Sequence, residues 1–228
     1  MEIAPGVHQV RMLGADSFLL AEERLTLIDG GMVGSRIMLE RYLRRIGRRL
    51  DELERVICTH GHPDHISGVG ELVRDRDDVT VLIHPDDLAG LRLPLRAALA
   101  RTDDRAVRRG RLIQYLTRTP ADAMPVDGGT VLPVLGGLLV VHTPGHTPGS
   151  ICLYAPRHRL LFTGDVLQVV RGQLTYASAF FSHDFVGARA SVERLSALDV
   201  DVIALSHYPP WRTDCNGTLV RLASPAAC

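Results

Sequence analysis

Three histidines and one aspartate fall within six consecutive positions of one short stretch, Thr59-His60-Gly61-His62-Pro63-Asp64-His65. Alternate side chains of an extended segment point to the same side, so His60, His62 and Asp64 are predicted to face one cavity. Pro63 favours the extended conformation at His62. Imidazoles and a carboxylate without thiolates are typical ligands of Zn, Mn or Fe. The stretch therefore predicts a metal site.

The residues on either side predict how this stretch is held. The segment 53–58, which ends in Val56-Ile57-Cys58, precedes it and is typical of a strand, whereas Ile66, Val69 and Leu72 follow it at helical spacing. We expect a helix that starts at Asp64 or His65 and extends to about residue 75. The chain has no C-x-x-C pattern, which argues against a closed structural zinc site.

The composition of the whole chain limits the classes of function. Its 228 residues are 46% hydrophobic and 23% charged, and 26 basic and 26 acidic side chains give a formal net charge of zero. This balance argues against nucleic acid or a membrane surface as the partner. Lysine is absent from the sequence, which excludes Schiff-base catalysis. We expect a small-molecule substrate; the oligomeric state is left open.

Neither a membrane span nor a signal peptide is indicated. No apolar run approaches the length needed to cross a bilayer, and residues 1–5 lack the charged and apolar regions of a leader. We expect a cytoplasmic protein. Cys58 and Cys152 lie in apolar runs and are predicted to be buried thiols.

The first half of the chain predicts alternating strands and helices in a single domain, 1–228. Strands are expected at 7–12, 17–20, 25–28 and 79–83, with a helix over 35–46. The apolar side chains predicted to face inward from that helix are Ile37, Leu39, Tyr42, Leu43 and Ile46. The segment 86–125 interrupts this order with Leu, Ala and Arg, and predicts a helical insertion that forms either a lid or a solvated surface.

The second half places three further candidate ligands on loops after apolar strands. His146 lies in the Pro/Gly-rich loop Thr143-Pro144-Gly145-His146-Thr147-Pro148-Gly149. Asp165 follows the strand predicted at 159–163, and His207 follows the one at 202–206. Asp184 is predicted to be the N-cap of a helix over 185–198, so His183 and Asp184 are assigned to structure.

These residues carry a resemblance to a known family. The stretch His60-Gly61-His62-Pro63-Asp64-His65 resembles the H-x-H-x-D-H signature of the metallo-β-lactamase-fold hydrolases, which include glyoxalase II and the acyl-homoserine lactonases. The family's later ligands match His146, Asp165 and His207. The resemblance implies an α/β fold, a four-layer αββα sandwich with the metals at one edge. It also makes Asp29 either a support for the metal loop or simply a turn residue.

The resemblance further implies two divalent metal ions. Zn is the expected metal, with Mn or Fe as alternatives. One would be held by His60, His62 and His146, the other by Asp64, His65 and His207, with Asp165 bridging. A metal-bridging hydroxide would then attack the substrate, and Asp64 would be the catalytic residue that orients it. Tyr208 stands where the family often has glycine and is a candidate substrate contact.

The ligand set indicates hydrolysis of a small thioester or lactone, as in the glyoxalase II and lactonase branch. Two other functions of the same fold stay open. One is an iron-dependent sulfur dioxygenase with a single metal, and the other is a phosphodiesterase or nuclease, which the neutral charge disfavours. A glutathione-binding helical region is not expected, because only 21 residues follow His207.

Overall fold

The computed structural model describes residues 1–74, 76–91 and 123–224. The chain divides into two compact units, Met1–Val126 and Asp127–Cys228. The first unit has one β-sheet, the second has two, and each unit has its own cluster of buried apolar side chains. The expected single domain over 1–228 stays a prediction.

The sheet of the first unit has seven strands in chain order. They are β1 (Glu2–Ala4), β2 (Val7–Val10), β3 (Ser17–Ala21), β4 (Leu25–Ile28), β5 (Leu53–Ile57), β6 (Thr80–Ile83) and β7 (Met124–Pro125). Neighbours from β1 to β4 are antiparallel, and neighbours from β4 to β7 are parallel. The carboxyl ends of β4, β5 and β6 therefore share one edge of the sheet. The chain leaves that edge at Asp29, Cys58 and His84.

The helices of the first unit are α1 (Arg36–Arg45), α2 (Pro63–Ile66), α3 (Val69–Leu72) and α4 (Pro85–Leu91). The predicted helix over 35–46 is confirmed as α1, and Leu39 and Leu43 are buried in its inner face. The prediction that Ile37 faces inward is wrong, because its side chain is 63% exposed. Residues two apart in a helix point to nearly opposite sides, so Ile37 and Leu39 cannot share one face.

The single helix expected after the metal loop is instead two short ones, α2 and α3. The interruption falls at Ser67 and Gly68, and the Gly68 backbone N–H donates to the Gly31 carbonyl at 2.8 Å. A Cβ at Gly68 would lie only 2.5 Å from the Gly30 carbonyl oxygen. The close approach of two backbones therefore interrupts the helix that apolar spacing alone predicted.

The second unit contains a five-stranded and a two-stranded sheet. Its strands are β8 (Val131–Leu132), β9 (Leu138–His142), β10 (Ile151–Ala155), β11 (Leu160–Phe162), β12 (Leu167–Val170), β13 (Gln173–Tyr176) and β14 (Val202–Ala204). The larger sheet has the order β14-β11-β10-β9-β8, and β12 pairs with β13. Strands β9 and β11 are both antiparallel to β10, while β14 is parallel to β11. The carboxyl ends of β9, β11 and β14 thus lie at one edge, where the loops of His146, Asp165 and His207 begin.

Two helices complete the second unit, α5 (Phe185–Ser196) and α6 (Cys215–Ala223). The predicted N-cap is confirmed, because Asp184 Oδ1 accepts a hydrogen bond from the Gly187 N–H at 3.0 Å. Such a cap contributes about 1 kcal/mol to stability. Helix α5 buries Ala188, Val192 and Leu195, and ends two residues before the predicted position 198.

The predicted insertion at 86–125 falls mainly outside the described residues, which omit 92–122. Its first residues, 86–91, lie in helix α4, which agrees with the prediction. Its last two residues form β7, a strand parallel to β6, so the helical prediction is wrong there. Among the described helices, none has the length and apolarity that a bilayer-spanning segment needs.

Candidate metal centre

The first two predicted ligands of the first unit lie on the loop that follows β5. His60 is buried and His62 is half-buried. His60 Nε2 lies 3.1 Å from His62 Nδ1, and the two rings meet edge to face with centroids 4.8 Å apart. The expectation that His60, His62 and Asp64 point to the same side of an extended segment is confirmed for the two histidines, whereas Asp64 lies in a helix. Two imidazole nitrogens at this separation can share one cation.

His65 and Asp64 lie in helix α2 and not in an extended segment. The helix begins at Pro63, a residue whose fixed φ suits the first helical position. His65 is fully buried and its ring centroid lies 4.1 Å from that of His60. The Asp64 side chain is 34% exposed, with Oδ2 at 3.8 Å from His65 Nε2. Asp64 is thus the accessible member of the pair.

Asp29 supports this loop from the end of β4. The residue is fully buried and has a left-handed backbone with φ 59°, which Asp tolerates better than most residues. Its Oδ1 accepts from the Thr59 N–H, and its Oδ2 accepts from the Thr59 hydroxyl and from His65 Nδ1, each at 2.8 Å. Of the two interpretations of Asp29, the structure favours a support for the metal loop.

These contacts fix which ring nitrogens carry protons. A carboxylate only accepts, so His65 Nδ1 donates to Asp29 and leaves the lone pair on Nε2. The Thr59 hydroxyl gives its one proton to Asp29, so the contact of 3.1 Å between Thr59 Oγ1 and His60 Nδ1 has the imidazole as donor. His60 therefore also keeps its lone pair on Nε2. In the neutral form, which is the form that binds metal, both imidazoles would therefore offer Nε2 as the donor atom.

The sequence analysis did not identify Asp87, a second buried carboxylate that holds the loop. Its Oδ2 accepts a hydrogen bond from the Gly61 N–H at 2.7 Å, between the two loop histidines. Asp87 lies in the first turn of α4, where an acidic residue is common because it favours the helix dipole. No sequence signal separated Asp87 from that ordinary role.

Cys58 immediately precedes the loop and does not act as a nucleophile. Burial raises the pKa of this thiol well above its usual value, and the charges of Asp29 and Asp87 raise it further. Only a thiolate attacks or binds a metal effectively. The predictions that Cys58 and Cys152 are buried thiols are confirmed.

The first ligand of the second unit is His146, which is buried on the loop between β9 and β10. Inside this loop Gly145 N–H donates to the Thr147 carbonyl at 3.0 Å, and Thr147 Oγ1 contacts Ser150 Oγ at 2.8 Å. Gly145 has φ 138°, and a Cβ there would lie 2.1 Å from the backbone nitrogen of Ala188 in α5. Only glycine permits this close packing, which fixes the loop against the helix.

Asp165 lies between His146 and His207, the two proposed ligand histidines of the second unit. Its Oδ2 is 3.6 Å from His146 Nε2 and 3.3 Å from His207 Nε2. The Asp165 side chain is half-buried, and His207 is exposed. One carboxylate oxygen thus faces a ring nitrogen of each neighbour. A carboxylate oxygen in this position can bind a cation together with a neighbouring imidazole.

Tyr208 follows His207 and is partly buried. It packs against the apolar cluster of the second unit, which includes Val166, Leu167 and Leu205. A role in substrate binding stays a prediction for this residue. Asp184 and His183 serve structure, as expected: their N–H groups donate to the carbonyls of Gly145 and His146 at 2.8 and 3.1 Å.

The donor atoms of both units fit a divalent transition metal. They are imidazole nitrogens and carboxylate oxygens, the set that Zn, Mn and Fe prefer, and the fixed tautomers of His60 and His65 leave Nε2 as the donor. The first unit offers His60, His62, Asp64 and His65, and the second offers His146, Asp165 and His207.

Comparison with known proteins agrees with this assignment. The model of the metallo-beta-lactamase superfamily matches residues 10–207, so the chain belongs to that superfamily. The probable metallo-hydrolase YflN of Bacillus subtilis (strain 168) is 28% identical, over 98% of this chain and 93% of that protein. The atrochrysone carboxyl ACP thioesterase AgnL7 of Paecilomyces divaricatus is 25% identical, over 67% of this chain and 39% of that one.

A solved structure shows the same fold. The metallo-beta-lactamase family protein TTHA1429 from Thermus thermophilus matches with a TM-score of 0.73 and 22% identity, over 96% of this chain and 78% of that one. The predicted α/β metallo-β-lactamase fold is confirmed. The protein is a metallo-hydrolase of this superfamily, a class that binds divalent metal.

Proposed function

We propose that this protein is a dinuclear metal-dependent hydrolase that cleaves small ester-type substrates, either thioesters or lactones. The observation that carries the proposal is the position of Asp165, whose Oδ2 faces Nε2 of both His146 and His207. A carboxylate in that position can bridge two cations. Its presence favours ester cleavage, since related enzymes that cleave β-lactams usually lack this carboxylate.

The ligands are assigned to two ions. We propose that three imidazoles hold one ion, that a mixed set holds the other, and that Asp165 is common to both. The first set is His60, His62 and His146, and the second is Asp64, His65 and His207. When bound, two such ions would act as Lewis acids and would lower the pKa of a bound water. Zinc suits this imidazole-rich set best, and manganese or iron would also be accepted.

Asp64 is the proposed catalytic residue. Among the residues that the structure describes, three carboxylates belong to or contact the loop after β5. Two of them, Asp29 and Asp87, are fully buried and hydrogen-bonded to that loop. Asp64 is the accessible one. It orients the attacking water, takes its proton at a carboxylate oxygen and delivers that proton to the leaving group.

The proposal that Asp64 alone carries the proton limits which leaving groups the enzyme can expel quickly. A thiolate or alkoxide leaves with little assistance, whereas an amide nitrogen must be protonated firmly before the bond breaks. The proposed activity is therefore fast on thioesters and lactones and weak on β-lactams. The thioesterase named among the relatives supports this choice. The partner is a small molecule and not a nucleic acid or a membrane, in keeping with the zero net charge.

A panel of four substrates tests the proposal. The zinc- and manganese-loaded protein is assayed with a glutathione thioester, acyl-homoserine lactones, a chromogenic cephalosporin and bis-nitrophenyl phosphate. We expect the highest kcat/KM for the thioester or a lactone. A higher value for the phosphodiester or the cephalosporin would reverse the proposal.

A further inference from the structure

Two adjacent aromatic side chains of the second unit project into solvent. Phe180 is 65% exposed and Phe181 is 60% exposed, and their rings meet edge to face with centroids 4.9 Å apart. Single exposed apolar residues are ordinary on protein surfaces, but two adjacent exposed phenylalanines form a surface that favours an apolar ligand.

Four hydrogen bonds within residues 178–182 stabilise the turn that carries this pair. Its closure depends on Ser178, whose carbonyl accepts from the N–H of Phe181 and of Ser182, both at 3.1 Å. The Ser182 hydroxyl donates to the same carbonyl at 2.9 Å, and Ser178 Oγ accepts from the Phe180 N–H at 3.3 Å. The two rings are therefore displayed by a braced turn, which limits the entropy that ligand binding would cost.

Both ends of the turn are attached to loops that carry proposed metal ligands. On one side, Ala177 N–H donates to the carbonyl of Val166, the residue after Asp165, at 2.9 Å. On the other side, His183 N–H donates to the carbonyl of His146 at 3.1 Å. Backbone hydrogen bonds thus connect the turn that carries the aromatic pair to the loops of two proposed ligands, Asp165 and His146.

A cavity adjoins the same turn. It has a volume of about 500 Å³ and is lined by residues that include Val170, Tyr176, Ala177, Ser178 and Phe185. The rings of Tyr176 and Phe185 meet edge to face with centroids 6.2 Å apart. Polar side chains, namely Gln168, Arg171, Gln173, Thr175 and Ser178, make up half of the lining. The cavity therefore offers two aromatic rings beside the turn, among polar groups that can orient a small ligand.

The first unit offers an independent observation of the same kind. Leu13 and Met32 are both exposed apolar residues, and Met32 N–H donates to the Leu13 carbonyl at 2.9 Å. A Cβ at Gly14 would lie 2.7 Å from Asp64 Cβ and 3.0 Å from Met32 Cγ. Exposed apolar side chains therefore also flank Asp64, the proposed catalytic residue.

We infer that the substrate carries an apolar acyl chain, and that Phe180 and Phe181 are specificity-determining residues that bind this chain. The inference rests on the proposed ester hydrolysis and adds the chemistry of the acyl part. An apolar chain buried against the two rings would gain about threefold in affinity for each methylene group. A charged acyl group would gain nothing from that surface.

A series of thioesters with one small thiol and acyl chains from acetyl to decanoyl tests the inference. For the zinc-loaded protein, kcat/KM should rise with chain length. The variant Phe180→Ser/Phe181→Ser should lose that rise, with octanoyl turnover at least about tenfold lower and acetyl turnover within about twofold of the parent. Val131→Ser is the matched control, since Val131 is 63% exposed on β8, the last strand of its sheet.

A binding measurement separates this inference from the proposed function. Calorimetric titration with a non-hydrolysable octanoyl amide should show binding to the parent and to Val131→Ser, and at least about tenfold weaker binding to the double variant. Such binding without hydrolysis of any ester would reject the proposed function and leave the apolar site standing. Hydrolysis that is independent of chain length would reject the apolar site alone. A change from dimer to monomer in the double variant, with unchanged chain-length dependence, would make the pair a self-association surface and overturn the inference.

Discussion

The buried carboxylate of Asp29 accepts a hydrogen bond from His65 Nδ1 at 2.8 Å and, through the Thr59 hydroxyl, also controls the proton of His60. One carboxylate outside the proposed ligand set therefore fixes the tautomers of two proposed ligands. Such outer partners orient an imidazole and increase its basicity toward a metal. Asp29 thus holds the metal loop through groups other than the proposed ligand atoms.

Replacement of Asp29 by Asn is expected to weaken zinc binding by about 10- to 100-fold. Asn tolerates the left-handed backbone at this position, but its amide group would oppose the Nδ1 proton of His65. The proton would then move to Nε2 and block the donor atom. Zinc affinity is measured by competition with a chelating dye, and the melting temperature of the metal-free protein controls for folding. Unchanged affinity would show that Asp29 does not set the tautomer.

Replacement of Thr59 by Val is expected to reduce zinc affinity by about tenfold, because His60 Nδ1 loses its acceptor. Val has nearly the shape of Thr, so packing is largely retained. The matched variant Thr59→Ser keeps the hydroxyl and should bind zinc like the parent protein. Equal losses of zinc affinity in the Val and Ser variants would show that the effect comes from packing and not from the hydrogen bond between His60 Nδ1 and the Thr59 hydroxyl.

Much of the site could be predicted because its residues are close in sequence. His60, His62, Asp64 and His65 form one local pattern, and each later candidate follows an apolar strand. Asp87 was missed, because its contact with Gly61 joins positions 26 apart and its place in a helix is ordinary for an acid. Phe180 and Phe181 were missed as well, since an irregular stretch has no periodicity to indicate which side chains are exposed.

In the fold, too, the features that depend on neighbouring residues were predicted, and those that depend on contacts between distant parts of the chain were not. The strand over Leu25–Ile28 and the N-cap at Asp184 follow from nearby residues and were predicted correctly. The break at Gly68 was not, because it depends on contact with the backbone of Gly30, 38 positions earlier. Apolar spacing indicates that a helix forms, but it does not show what the helix will meet.

Asp64→Ala is expected to lower kcat on the preferred ester by about 10²- to 10⁴-fold, because it removes the proposed proton carrier. The fold should remain, since the side chain is partly exposed and fills no core volume. Asp64→Asn is the matched variant: it keeps the size and one oxygen but carries no proton, so its turnover should also be low. Near-normal turnover in either variant would remove Asp64 from the mechanism.

The buried thiol of Cys152 is expected to make the protein less stable in alkali. Burial raises the pKa of this thiol from its usual value near 9 to about 12, and a weak bond from the Thr143 hydroxyl opposes the shift only in part. Between these values the unfolded chain loses the proton and the folded protein keeps it. Stability should therefore fall by up to about 1.4 kcal/mol per pH unit as the pH rises above 9.

Urea unfolding between pH 8 and pH 10.5 measures this effect. The Cys152→Ser substitution removes the thiol and introduces no group that titrates in that range, so the stability of this variant should fall less steeply with pH than that of the parent. Parallel slopes in the two proteins would show that the Cys152 thiol does not contribute.

The number of metal ions bound per chain tests the proposed dinuclear site most directly. Protein saturated with zinc, passed through a desalting column and analysed by inductively coupled plasma mass spectrometry should contain two ions per chain, and Asp165→Ala should contain fewer. Removal of both ions by a chelator should abolish ester hydrolysis, and zinc should restore it. A reproducible value of one ion per chain in the parent protein, with iron as the activating metal and oxygen consumed, would contradict the dinuclear hydrolase.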